Sequence, residues 1–142
     1  VILDLPPAIA AVSLRAALYS HAMVVPVGAS VLDIESAREA VDVCKEAIDL
    51  DSSKSFMMVP NRVRASTLSG RQLREALSKL GPVSRTTIGL RVGLSDAAQP
   101  GMGINTYAPG TPDHLEIKSL AVEVLELLGE EVHHAEASAL AS

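Results

Sequence analysis

A chain of 142 residues and 14.9 kDa, 48% hydrophobic but only 2% aromatic, is long enough to bury one core, built from Val, Leu, Ile, Ala and Met rather than from rings. Its single cysteine, Cys44, excludes an internal disulfide and a cysteine-clustered metal site and points to a reducing, cytoplasmic setting. A net charge of -5 argues against a uniformly basic nucleic-acid-binding domain, no apolar run reaches the ~18 residues that span a bilayer, and no charged n-region of a signal peptide opens the chain.

Four short apolar runs, at 1–5, 22–27, 55–60 and 83–89, are each followed by a segment of helical periodicity. That is the pattern of successive βα units, and runs without strict alternation predict parallel strands covered on both faces. The expected fold is therefore α/β, a mostly parallel sheet flanked by helices. The first run opens on Val rather than Met, with no cap or turn before it, so the sequence is expected to begin inside a longer gene product.

An Ala-rich helix is expected after the first run. Between the second and third, Ala37, Ala40, Val41, Cys44, Ala47 and Ile48 fall on one face, with Glu35, Arg38, Glu39, Asp42, Lys45 and Glu46 elsewhere, which predicts an amphipathic helix. Ser69 followed by Gln72 reads as a capping box ahead of the stripe Leu73, Ala76, Leu77 and Leu80, which stops at Gly81-Pro82. Residues 99–112, with three glycines and three prolines, predict one long irregular loop. Thr111-Pro112 then supplies an N-cap and a first-turn proline for a last helix running to Gly129. The sequence divides into a domain at 1–129 and a tail at 130–142, rich in Glu, Ala, Ser and His and lacking an apolar stripe.

In the run Val1-Ile2-Leu3-Asp4-Leu5-Pro6-Pro7 an aspartate meets the carboxyl end of a predicted strand, the edge of an open α/β sheet where ligands bind. An acid there either simply ends the strand or holds a magnesium ion through water. Asn61, in Pro60-Asn61-Arg62, ends another strand and by itself reads as a turn former.

The ordered blocks Val-Ile-Leu-Asp-Leu-Pro-Pro (1–7), Ala-Met-Val-Val-Pro-Val (22–27), Ser-Val-Leu-Asp-Ile-Glu-Ser-Ala (30–37), Met-Val-Pro-Asn-Arg-Val (58–63), Thr-Ile-Gly-Leu-Arg-Val (87–92) and the 109–125 stretch resemble the second half of ParA-type partition ATPases, plasmid-type branch, of the deviant Walker A MinD/ParA superfamily. The resemblance spans about residues 1–128. It implies a P-loop NTPase three-layer sandwich, ATP and Mg2+ as cofactors, and Asp4 as the catalytic aspartate facing magnesium. Pro6 and Pro7 would lie in the adjoining nucleotide-responsive switch, and Asn61 with Arg62 in the nucleotide site. It further implies a homodimer switched by ATP, nonspecific DNA binding, a ParB-type partner that stimulates hydrolysis, and a nucleoid-associated place in the cytoplasm.

One departure bears on activity. No G-x-x-x-x-G-K-[ST] and no Lys-Gly-Gly opening occurs, and Gly101-Met102-Gly103 lacks the Lys and Ser/Thr that would follow. The N-terminal P-loop portion is absent, so these 142 residues are expected not to hydrolyse ATP alone.

Charge is distributed unevenly. Residues 62–91 carry seven basic side chains, Arg62, Arg64, Arg71, Arg74, Lys79, Arg85 and Arg91, against Glu75 alone, or +6; the rest carry five basic and sixteen acidic groups, or -11. Such a stretch is either a solvated face or a holder of DNA phosphates, with Arg64, Arg71, Arg74, Arg85 and Arg91 as its candidates. His133-His134 lack a third metal ligand at useful spacing, His21 and His114 are isolated, and Cys44 sits on an apolar stripe. The acidic tail, with Glu130, Glu131 and Glu136, is opposite in charge to the basic membrane helix of MinD-like relatives, and one cysteine cannot ligate the cluster of an iron-protein reductase. Positioning ATPases for other cytoplasmic cargo, and a non-catalytic interaction module, remain open.

Overall fold

A computed structural model describes residues 1–5 and 10–129. The chain is α/β, with a two-stranded parallel sheet and helices against it. In order come α1 (Ala10–Tyr19), β1 (Ala22–Val27), α2 (Val31–Leu50), β2 (Ser55–Pro60), α3 (Leu68–Ser78), α4 (Gly93–Ala98), α5 (Ile104–Tyr107) and α6 (Pro112–Leu127). β1 and β2 pair in register from Ala22 opposite Ser55 to Val27 opposite Pro60, and α2 makes the crossover between them.

β2 is the centre of the core because both of its faces are covered. On one side Phe56 and Met58 join Val27, Ala37, Val41, Cys44, Val63, Leu73 and Leu77 from β1, α2 and α3. On the other, Met57 and Val59 meet Ile88, with Ile117, Leu120, Val124 and Leu127 of α6 packed behind. The period of two along β2 thus feeds two helical layers, and the periods of α2, α3 and α6 present matching stripes. Met58 and Leu77 are fully buried, and truncating either is the kind of change that costs about 2–5 kcal/mol.

β1 is less covered, since Val24 and Pro26 are exposed. The carbonyls of His21 and Val27 accept from Ser55 and Asn61, so the odd-numbered residues of β1 face β2 and Pro26 falls on the outer edge. A proline there forfeits no ladder bond.

Four expectations need correction. Residues 1–5 form no strand: they carry no secondary structure and are exposed, because without a partner for its N–H and C=O groups an apolar run has no ladder to join. Residues 83–89 make only two isolated bridges, Met58 with Val83 and Val63 with Gly89. The intervening backbone is diverted. The N–H groups of Arg85 and Thr86 donate to the Glu123 carboxylate at 2.6 and 2.7 Å, while the carbonyls of Ser84 and Arg85 accept from Arg74.

α3 starts earlier than Ser69: Thr67 is its N-cap, in extended backbone, and its Oγ1 accepts from the N–H of Gly70 at 3.1 Å. The stretch 99–112 is not structureless, since it holds α5. Thr111 caps α6 with Pro112 in the first turn, as expected. The tail 130–142, with His133 and His134, lies outside the described residues.

Candidate functional site

A cleft of about 470 Å³ opens at the carboxyl ends of β1 and β2, lined by Pro26, Gly28, Ala29, Asp33, Asn61, Arg62 and Leu90. Its position follows from topology. Two parallel strands leave their carboxyl ends at the same edge, and the departing connections, 28–30 toward α2 and 61–67 toward α3, part there.

Asn61 is anchored at the end of β2, its N–H donating to Val27 O at 2.8 Å. Its side-chain Oδ1 accepts the N–H of Arg62 at 2.9 Å. That local bond supports Arg62 at φ 54, the one non-glycine residue with positive φ among those described, a conformation that costs about 1–2 kcal/mol for an L-residue. Backbone held there against its preference, with an exposed guanidinium at the mouth of a cleft, marks the 61–62 turn as a place where geometry outranks local stability.

The opposite wall comes from the first turn of α2. Ser30 Oγ accepts the Asp33 N–H at 3.0 Å, and Asp33 Oδ2 accepts from the Ser30 N–H at 3.3 Å and hydroxyl at 2.6 Å, a reciprocal capping box. Gly28 runs so close beneath that a Cβ there would overlap the Asp33 carboxylate. Asp33, Gly28, Pro26 and Leu90 were not among the sequence candidates. The signal available for Asp33 was the Ser-x-x-Asp spacing before an apolar helix.

Of the sequence candidates, the fold brings together Asn61 and Arg62. Asp4 is not on the cleft wall; it lies in the exposed 1–5 segment, and among the described residues no three His, Cys, Asp or Glu gather as a metal site. The described residues therefore supply no set of ligands for Mg2+ around Asp4. Pro6 and Pro7 lie outside the described residues.

The basic stretch does not act as one face. Arg74 donates to Ser84 O, to Arg85 O at 2.9 Å and to Thr87 Oγ1 at 3.0 Å, holding the 84–87 turn against α3. Arg85 pairs with Glu126 at 2.6 Å, and the hydrogen bond and charge of Glu126, with the charge of Glu123, raise its pKa. Arg91 pairs with Glu116 at 2.6 Å and Asp113 at 3.4 Å; the Glu116 hydrogen bond is the main cause of its raised pKa. Lys79 pairs with Glu75. Arg64 has no side-chain partner among the described residues, and Arg71 makes one 3.3 Å contact to Ser66 O. The cations least committed to the fold are thus Arg62, Arg64 and Arg71, on the β2–α3 connection and the first turn of α3.

Cys44 is buried and burial pushes its thiol up to about 11, which suits a packing residue and not a nucleophile. No helix among the described residues is long and apolar enough to cross a membrane. Compared with known proteins, the chain matches no family model and no curated sequence.

Proposed function

We propose that this chain is part of a ParA-type partition ATPase, and that the cleft at the carboxyl ends of β1 and β2 is where the base of ATP binds. The observation that supports it is the placing of Asn61 and Arg62 on the wall of that cleft. Pro26, Ala29 and Leu90 supply apolar surface for a ring, Asn61 an amide for its edge, and Arg62 a planar cation able to stack. In this reading the two-stranded sheet is a portion of a three-layer P-loop sandwich, and the phosphate-binding loop, which the 142 residues do not contain, is supplied by further polypeptide. The complete protein hydrolyses ATP with Mg2+, Asp4 faces the metal's water, and Pro6 and Pro7 respond to the nucleotide. The ATP-bound homodimer holds DNA nonspecifically through phosphate contacts and is released by a ParB-type partner, in the cytoplasm and on the nucleoid.

A second reading is favoured by one feature of the sequence, the missing phosphate loop: an ATPase-like module that binds a partner and turns nothing over. ATP turnover separates the two. The 142-residue chain alone is inactive under both readings, and Asp4-dependent hydrolysis by it would refute the assignment of the phosphate loop to other polypeptide. Joined to a segment bearing Gly-x-x-x-x-Gly-Lys-Ser/Thr, the enzyme reading requires hydrolysis that is lost in Asp4→Ala and accelerated by DNA with a ParB-type protein. Absence of turnover in that protein leaves the module.

A further inference from the structure

Part of the hydrogen-bonding capacity of Asn61 is already used by its own turn in this fold. One lone pair of its Oδ1 accepts the N–H of Arg62 at 2.9 Å, while Nδ2 keeps both of its donors, so the amide of this cleft residue is freer to donate than to accept. The edge of adenine shows an exocyclic amine, a donor, beside a ring nitrogen, an acceptor. A second, uncommitted acceptor would strengthen the reading of the amine. On the facing wall, both hydrogen bonds from Ser30 fall on one oxygen of Asp33, Oδ2, at 3.3 and 2.6 Å. Its other oxygen, Oδ1, has no partner among the described residues, and Asp33 lines the same cleft.

We propose that Asp33 is a specificity-determining residue of the cleft, its Oδ1 accepting from the 6-amino group of adenine while Asn61 Nδ2 donates to the adjacent ring nitrogen. The inference rests on the reading of the cleft as a base site and adds the choice of base. A 6-oxo purine would bring its carbonyl oxygen against the carboxylate, two acceptors with no proton between them. The same carboxylate occupies the N-terminus of the 20-residue helix α2, where its backbone amides would otherwise attract an anion. Phosphate is thereby turned away from this wall, and a neutral ring is what it suits.

The test is a ligand-observed NMR titration of the 142-residue chain with adenosine, N6,N6-dimethyladenosine and inosine. Adenosine is expected to bind about tenfold or more tightly than either analogue, since each lacks the amino proton that Asp33 accepts. In Asp33→Asn the carboxamide keeps its oxygen on the two Ser30 donors and turns its amine toward the cleft, so the preference for adenosine collapses and inosine gains. Asp33→Glu keeps charge and cap while moving the unpaired oxygen by a methylene, and weakens adenosine more than inosine; it serves where Asp33→Asn does not fold. Equal binding of all three by the unaltered chain, abolished by Asn61→Ala, overturns the role of Asp33 and leaves the base cleft standing. Binding of none of them, or binding indifferent to Asn61→Ala, removes the base site and this inference together.

Discussion

Glu123 on α6 accepts the backbone N–H of Arg85 on Oε2 at 2.6 Å and that of Thr86 on Oε1 at 2.7 Å, so a side chain 38 residues away does for Arg85 what a neighbouring strand would do. Replacing it by Ala leaves two N–H groups without an acceptor and is expected to lower stability by about 2–3 kcal/mol in urea denaturation. The exposed Arg85–Glu126 ion pair beside it is expected to contribute little: Glu126→Ala should shift the midpoint by less than a third as much.

The same carboxylate sets a pH dependence. Burial acts to raise the pKa of Glu123, but hydrogen bonds from the Thr86 side chain and the backbone of Arg85 and Thr86, with the charge of Arg85, outweigh it and hold the group below its ordinary 4.5. A lowered folded-state value gives stability that is fully present above the unfolded value and is lost as pH falls through the folded one. Unfolding free energies measured from pH 7 to pH 3 should therefore fall more steeply in the unaltered chain than in Glu123→Gln. Parallel curves would show that this carboxylate carries no linkage.

Arginines of the basic stretch should separate into two classes. Arg74→Ala removes three hydrogen bonds to the 84–87 turn and is expected to cost about 1–3 kcal/mol of stability. Arg64→Glu with Arg71→Glu should leave the thermal midpoint within about 2 °C; under the proposed ParA-type reading, the same changes in the ATP-bound complete protein should weaken DNA binding and shallow its salt dependence by about one unit for each phosphate no longer neutralised. Salt-dependence plots together with melting curves decide; unchanged DNA affinity at low salt would take Arg64 and Arg71 out of the interface.

Gly70 lies in the first turn of α3, where helix propensity alone would favour alanine by about 1 kcal/mol. A Cβ at that position would overlap the Arg64 carbonyl oxygen, which is backbone and accepts from the Thr67 hydroxyl at 2.8 Å. Gly70→Ala is therefore expected to destabilise, by about 1–3 kcal/mol, against the sign that propensity predicts. Calorimetry reads the sign directly.

Cys44, 5% exposed and with its thiol raised to about 11 by burial, should resist alkylation at pH 8 in the folded chain and react at once in urea. Because the unfolded thiol ionises first as pH rises above about 8.5, this residue is expected to withdraw stability on the alkaline side. Rapid labelling of the folded chain would show that the α2 stripe opens locally.

What was legible in the sequence is what short-range periodicity encodes. The stripe of Ala37, Val41, Cys44 and Ala47, the apolar run at 55–60 and the Thr111-Pro112 start of α6 are each visible within a few residues, because pattern and cap are local. They suffice for an α/β chain with parallel strands and for a ligand edge at their carboxyl ends. Asn61 could be placed at the end of a strand for the same reason, whereas its pairing with Arg62 in a nucleotide site came from the resemblance to ParA-type ATPases. Only the tertiary structure decided what lies opposite them, since Gly28 and Asp33 reach the cleft through a crossover that brings together residues some 30 apart in sequence. It also decided which cations are engaged by the fold: Arg85 and Arg91 meet Glu126 and Glu116 only after α6 has packed on β2. The runs at 1–5 and 83–89 mark the limit of pattern. Both read as strands, but a strand exists only where a partner takes its backbone hydrogen bonds, and Glu123 and Arg74 had already taken those of residues 84–86.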